Sequence, residues 1–329
     1  MRARLRPLTG LLAALALFEL IIRHVFLGVA DWKPGVGWGY YSTEVRRYIH
    51  EGAGTSHFDA RGIRIVPGSV PAGPPILALG NSMTQAAQVD DGEAYTAQLQ
   101  SLMHMPVLNA AHDARLLADQ AYAAPFYQSH FHPAWTIVQM IPLNFQDPPA
   151  PAHSASFQFV EGHLVVEPPI PDRQRTLPLH EIRDMSGLLN LGTFRYGVFL
   201  QAMQRENAAR PLFHGADRIV AAPAHDEPVE LILDLLTTSY KRRVTFFMIP
   251  DFRYPQTDVE RRFTAWCQTR GASCVNLRST FDAFRGQGRA PSGFPNYNFG
   301  HGHLNPEGHK AAAELLAQEL ERLRARGLF

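Results

Sequence analysis

Five short apolar runs recur along the chain, each stopped by polar or turn-forming residues. They are Ile76–Leu79, Met105–Ala111, Trp135–Met140, Val244–Ile249 and Ser273–Leu277. Runs this short with such ends read as buried strands. Between them lie stretches compatible with helices: 85–103, 116–129 and 257–269, then a terminal one over 306–324. In the last, Leu315, Leu316, Leu320 and Leu323 share one face. Strands alternating with helices imply βαβ units and a parallel sheet. The expected fold is α/β: a flavodoxin-like three-layer α/β/α domain with a parallel sheet of about five strands, plus an N-terminal membrane helix.

The alternation breaks between about residues 148 and 241. Phe157 to Val166, with Glu161-Gly162 between two apolar runs, reads as a β-hairpin. Residues 168–178 form a proline-rich loop. Glu181 to Arg205 reads as an amphipathic helix carrying Leu188, Phe194 and Phe199, and Glu227 to Tyr240 as a second helix. The stretch is expected to be an insertion that holds one crossover helix and shapes a cleft or a partner surface. The resulting layout is a signal anchor over 1–30, a juxtamembrane segment over 31–72, a core domain over 73–147 and 242–329, and an insertion over 148–241. A short strand is expected at Ile63 to Val66, and Phe281 to Phe299 reads as irregular.

The amino terminus bears on compartment. Arg2, Arg4 and Arg6 precede an apolar segment from about Pro7 to Leu27, interrupted by Glu19, Arg23 and His24. Glu19 and Arg23 stand at i,i+4 and can pair. Basic residues ahead of the apolar run predict a cytoplasmic amino terminus. The favoured expectation is an uncleaved, single-pass inner-membrane anchor with the globular part on the periplasmic side. The rivals are a cleaved signal peptide ending near Gly28-Val29-Ala30 and an amphipathic surface helix. Trp32, Trp38, Tyr40 and Tyr41 suit a membrane interface or packing on the globular domain. A net charge of +1 and the lack of a Lys/Arg run argue against nucleic acid as a partner. Cys267 and Cys274 form a disulfide in an exported chain, or are two half-buried thiols.

Ser82 ends the first run. It falls at the carboxyl end of a strand and the amino end of a helix, where open α/β sheets bind ligands and unpaired backbone N–H groups face charge. Taken alone it reads first as a helix N-cap, a role serine favours. Three other strand ends change that balance. They carry the Asn109–Ala111 backbone, Asn144 and His303. A serine needs a base, and histidine serves near neutral pH. Backbone N–H groups and an Asn amide provide oxyanion donors.

With these residues the sequence resembles the SGNH (GDSL-like) hydrolase family, in its membrane-anchored form. Gly80-Asn81-Ser82-Met83-Thr84 looks like the first block, with Asn for the usual Asp. Val107-Leu108-Asn109-Ala110-Ala111 looks like the second, with Ala111 in place of glycine. Pro142-Leu143-Asn144 is similar to the third, and His303-Leu304-Asn305-Pro306-Glu307-Gly308-His309 to the fifth. The resemblance implies Ser82 as nucleophile and His303 as base, with Asn144 and the N–H groups of Ser82 and Ala111 as oxyanion hole. It implies no cofactor. The family's Asp before the histidine is absent, since Gly300 and His301 stand there. Asp113, Asp251, Asp282, Glu307 or a backbone carbonyl are then candidates to orient the imidazole, with His301 a modulating neighbour. The first functional reading is an envelope serine esterase or O-acyltransferase acting on an acylated or acetylated substrate such as a glycan. The second is a degenerate SGNH domain serving as a binding subunit of a membrane complex. The third is a metal-dependent hydrolase using His301, His303 and His309.

Overall fold

The computed structural model describes residues 5–21, 30–33, 37–41, 45–47, 51–69, 72–113, 115–145, 154–161, 163–169, 229–296, 300 and 302–329. In chain order the first elements are α1 (Leu5–Ile21), β1 (Ala30–Lys33), β2 (Gly37–Tyr41), β3 (Val45–Arg47) and β4 (Thr55–His57). Then come β5 (Ile76–Leu79), α2 (Ser82–Gln85), α3 (Tyr95–Met103), β6 (Val107–Asn109), α4 (Leu117–Phe131) and β7 (Trp135–Met140). A 3-10 turn (Pro142–Phe145) follows, with β8 (Ser156–Val160), β9 (His163–Glu167), α5 (Val229–Ser239) and β10 (Val244–Met248) after it. The chain closes with α6 (Asp258–Arg270), β11 (Ser273–Asn276), α7 (Arg278–Gly286) and α8 (Pro306–Ala325). Two compact units emerge, one of residues 1–28 with 173–225 and one of 29–172 with 226–329. In the first, only α1 is described.

The five expected strands form one sheet, in the order β11-β10-β7-β5-β6, with every neighbouring pair parallel. Counted along the chain, from one edge to the other, this is second-first-third-fourth-fifth, the flavodoxin-like order. Alternation along the strands sends side chains to two apolar layers. Leu77, Leu79, Val138, Met140, Phe246 and Met248 pack with α4, α5 and α6. Ile76, Ala78, Trp135, Ile137 and Phe247 pack with α3, α7 and α8. Burial on both faces explains why these strands are nearly all apolar. The order reverses between β5 and β7, and Ser82 follows β5 at that reversal.

The hairpin is present as β8 and β9, and Phe157, Leu164 and Val166 rest on the α4–α5 layer. The crossover helix is α5. The helix expected over Glu181 to Arg205 lies outside the described residues. Three expectations are corrected. Helix does not run through 85–103, because α2 lasts one turn and Ala86 takes a left-handed φ of 58°. Residues 63–66 make no strand, only isolated bridges from Arg64 to Phe58 and Asn109. Part of the stretch read as irregular is α7, which buries Phe281. The expected N-terminal membrane helix is described over α1 (Leu5–Ile21) alone, and residues 22–29 of the expected anchor lie outside the described residues. Among the described residues, no helix is long and apolar enough to cross a membrane.

Candidate active site

Ser82 is held by its neighbours rather than used as a cap. Asn81 is the N-cap of α2, and its side chain accepts the Met83 N–H. The serine hydroxyl is thereby left for other work. Beneath the turn, Gln139 of β7 accepts from the Asn81 N–H and the Thr84 hydroxyl. The approach is close enough that a Cβ on Gly80 would lie 2.5 Å from Gln139 Oε1 and 2.6 Å from Thr84 Oγ1. Glycine is required there by contact. At the other end of α2, buried Arg64 donates to the carbonyls of Gln85, Ala86 and Val89 and pairs with Asp91. Burial lowers the Arg64 pKa from its ordinary value, and Asp91 opposes the shift. Three main-chain carbonyls and one carboxylate therefore compensate a charge that burial alone would penalise.

His303 lies in a loop paired to its own approach. Gly293 N–H donates to the His303 carbonyl, Asn305 N–H to the Pro291 carbonyl, and Ser292 bridges Leu304. Asn305 then caps α8 by accepting from Gly308 N–H. This places His303 Nε2 at 2.8 Å from Ser82 Oγ.

The group on the far side of the imidazole is Glu51. Its Oε2 is 2.5 Å from His303 Nδ1, and its Oε1 accepts the His303 backbone N–H at 2.7 Å. The Glu51 side chain is 6% exposed. A carboxylate acceptor at Nδ1 assigns the proton to that nitrogen, so Nε2 is free to accept from the serine hydroxyl. The residues considered for this place lie elsewhere. Asp251, Asp282 and Glu307 pair with Arg253, Arg285 and Arg289. Asp113 is exposed, and its carbonyl accepts from His112 Nδ1. His301 lies outside the described residues. Sequence reasoning missed Glu51 because it precedes the serine and stands in no recognisable spacing to the histidine. Its one trace is Gly302 (φ +82°), where a Cβ would lie 2.2 Å from Glu51 Oε1.

The expected oxyanion donors stand at neighbouring strand ends. Ala110 and His112 N–H donate to the carbonyls of Ala78 and Gly80, which sets Ala111 beside the Ser82 turn. The Ala111 N–H itself points to Asn109 Oδ1 at 3.2 Å. Asn144 Oδ1 accepts the Ile141 N–H at 2.8 Å, which orients its amide in the turn after β7. Among the described residues, no group of three or more His, Cys, Asp or Glu could hold a metal ion. His303 has both ring nitrogens engaged, and His309 is buried against Tyr95. Cys267 and Cys274 are joined in a disulfide between α6 and β11.

The fold is the one the SGNH resemblance implies. No family model matches the chain, and no curated protein matches it. Solved structures do. A two-domain esterase active on acetylated mannans is 10% identical, with a TM-score of 0.41, over 77% of this chain and 50% of that one. The chain thus spans half the length of that protein. TesA is 11% identical, with a TM-score of 0.40, over 76% and 99%. An acetylxylan esterase from Geobacillus stearothermophilus is 12% identical, with a TM-score of 0.39, over 76% and 95%. Likeness at this level bears on neither the activity nor the substrate of this chain.

Proposed function

We propose that the chain is a serine hydrolase of SGNH type that cleaves or transfers ester-linked acyl groups through an acyl-Ser82 intermediate. The observation that carries this is the line from Ser82 Oγ to His303 Nε2 and from His303 Nδ1 to Glu51. In the reaction, His303 Nε2 takes the serine proton as Oγ adds to the ester carbonyl. Glu51 keeps the imidazole in the required tautomer and stabilises the imidazolium. The Ser82 N–H and the Asn144 amide receive the developing oxyanion, while the Ala111 N–H, the third expected donor, is directed at Asn109 Oδ1. Collapse breaks the ester bond, and His303 returns its proton to the leaving alcohol. Water, or a sugar hydroxyl, then attacks the acyl-serine carbonyl as His303 Nε2 takes its proton. Collapse breaks the Ser82 Oγ–acyl bond and releases the acid or the new ester, and His303 returns the proton to Ser82 Oγ.

The case for a degenerate scaffold rests on His301 where the acid usually stands, on Ala111 and on the charged N-terminal segment. Glu51 answers the first of these by supplying an acid. We place the globular part outside the inner membrane, as the basic N-terminus suggests. The Cys267–Cys274 disulfide supports this, because disulfides persist in oxidising compartments. So do the exposed Leu12, Leu17 and Phe18 of α1, which suit an apolar surrounding. The glycan substrate rests on the resemblance to envelope-associated SGNH proteins.

The test is a fluorophosphonate probe together with p-nitrophenyl acetate turnover. Wild type should label and turn over. Ser82→Ala should lose labelling and at least about 10³-fold in kcat. An unlabelled wild type whose turnover is abolished by a chelator would replace this reading with the metal one.

A further inference from the structure

This inference rests on the reading above and concerns how Glu51 is held. Glu51 lies ahead of β4, in a stretch that is neither helix nor strand. Local secondary structure therefore does not position it. Two features from the other end of the chain do. Asn296 grips the next residue at both main-chain groups. Its Oδ1 accepts the Gly52 N–H at 2.9 Å, and its Nδ2 donates to the Gly52 carbonyl at 2.6 Å. Gly52 has a φ of +73°, and a Cβ there would lie 2.2 Å from the Gln88 carbonyl and 3.0 Å from the Phe294 ring. Phe294 packs with Ala86, Val89 and Ala94, just beyond the one-turn helix that begins at Ser82. The second feature is Gly302. Its missing side chain leaves the volume that the Glu51 carboxylate fills beside the His303 peptide.

We propose that Asn296 and Gly302 are positioning residues for the acid. Asn296 pins the Glu51 segment to the loop carrying Phe294, and Gly302 makes room for the carboxylate. Together they allow a distant N-terminal residue to do what a carboxylate just before the histidine would otherwise do. A paired main-chain grip of this kind restricts both translation and rotation of residue 52, and a small misplacement of a catalytic group is costly.

The experiment is a pair of double-mutant cycles on the full chain, with kcat and KM for p-nitrophenyl acetate and fluorophosphonate labelling as readouts. Asn296→Ala should lower kcat on the order of tenfold and leave KM within about twofold. Gly302→Ala should lower kcat by more, since it drives a methyl into the carboxylate. In a Glu51→Ala background both effects should vanish, because no carboxylate remains to be placed. Thermal unfolding verifies that each variant is folded. If Asn296→Ala and Gly302→Ala retain wild-type kcat, the inference is wrong while the serine-hydrolase reading stands. The same holds if each costs as much without Glu51 as with it. A wild type that neither labels nor turns over overturns both together.

Discussion

His309 shows how tightly the first turn of α8 is built into the domain. It is buried, its Nδ1 accepts the Tyr95 N–H, and its ring stacks on the Tyr95 ring at 6.1 Å. Burial first, then the charges of Arg64 and His303, lower its pKa to about 3 from an ordinary 6.5. Between those values the unfolded chain binds a proton that the folded chain excludes. Stability therefore rises with pH across this window, is complete above 6.5, and is lost as pH falls toward 3. The slope from this one group approaches about 1.4 kcal/mol per pH unit. Urea unfolding at pH 7.5, 5.5 and 4.5 should show wild type weakening on acidification. His309→Gln, which cannot take the proton, should weaken less steeply by about that amount. Equal slopes would mean that His309 charges without cost. Tyr95 belongs to the same buried set, and desolvation pushes its phenol up.

Elements were legible where one force decided them. The three inner strands of the sheet, β10, β7 and β5, are buried on both faces along their whole length, and their apolar runs needed no other information. The one-turn α2 was not legible, because what ends it is tertiary. Arg64, 21 residues upstream of Gln85, takes the carbonyls that a longer helix would have bonded internally. The joint between α6 and α7 was equally hidden. Glu260 completes a capping box with Thr257 at the start of α6, a pairing readable from spacing. It also receives Nε and Nη2 of Arg278 from the start of α7, with the carboxylate fully buried. Arg278 further donates to the Tyr254 carbonyl. Removing one partner of a buried pair leaves the other charge stranded. Arg278→Ala should therefore cost about 3–5 kcal/mol, measured by chemical denaturation. Exchange of both residues for apolar ones should cost much less. A loss below about 1 kcal/mol for the single change would show that water reaches Glu260.

At the scale of the whole molecule, the chain closes its site by joining its two ends. Ser82 was readable because it closely follows a strand, and both it and His303 sit in short motifs. Glu51 was not, because 252 residues separate it from His303 and neither periodicity nor spacing reports a contact made only by folding. The fold brings the segment in by several ties: Glu51 to His303, Gly52 to Asn296, Thr55 N–H to Asp90, and His57 to Asp91. The ties beyond Glu51 hold the segment without the carboxylate, so loss of its charge should separate chemistry from stability. Glu51→Gln keeps the side-chain length and an oxygen to accept the His303 N–H. Its amide can present N–H to Nδ1, which favours the tautomer with the proton on Nε2, the wrong one for a base facing Ser82. The expected outcome is a fall in kcat of about 10²–10⁴-fold with a stability change within about 1 kcal/mol. Glu51→Asp, one methylene short of bridging Nδ1 and the backbone N–H together, should fall between. Unfolding curves and p-nitrophenyl acetate kinetics on the same preparations decide the matter. A Glu51→Gln protein with wild-type kcat would show that His303 is oriented without the carboxylate.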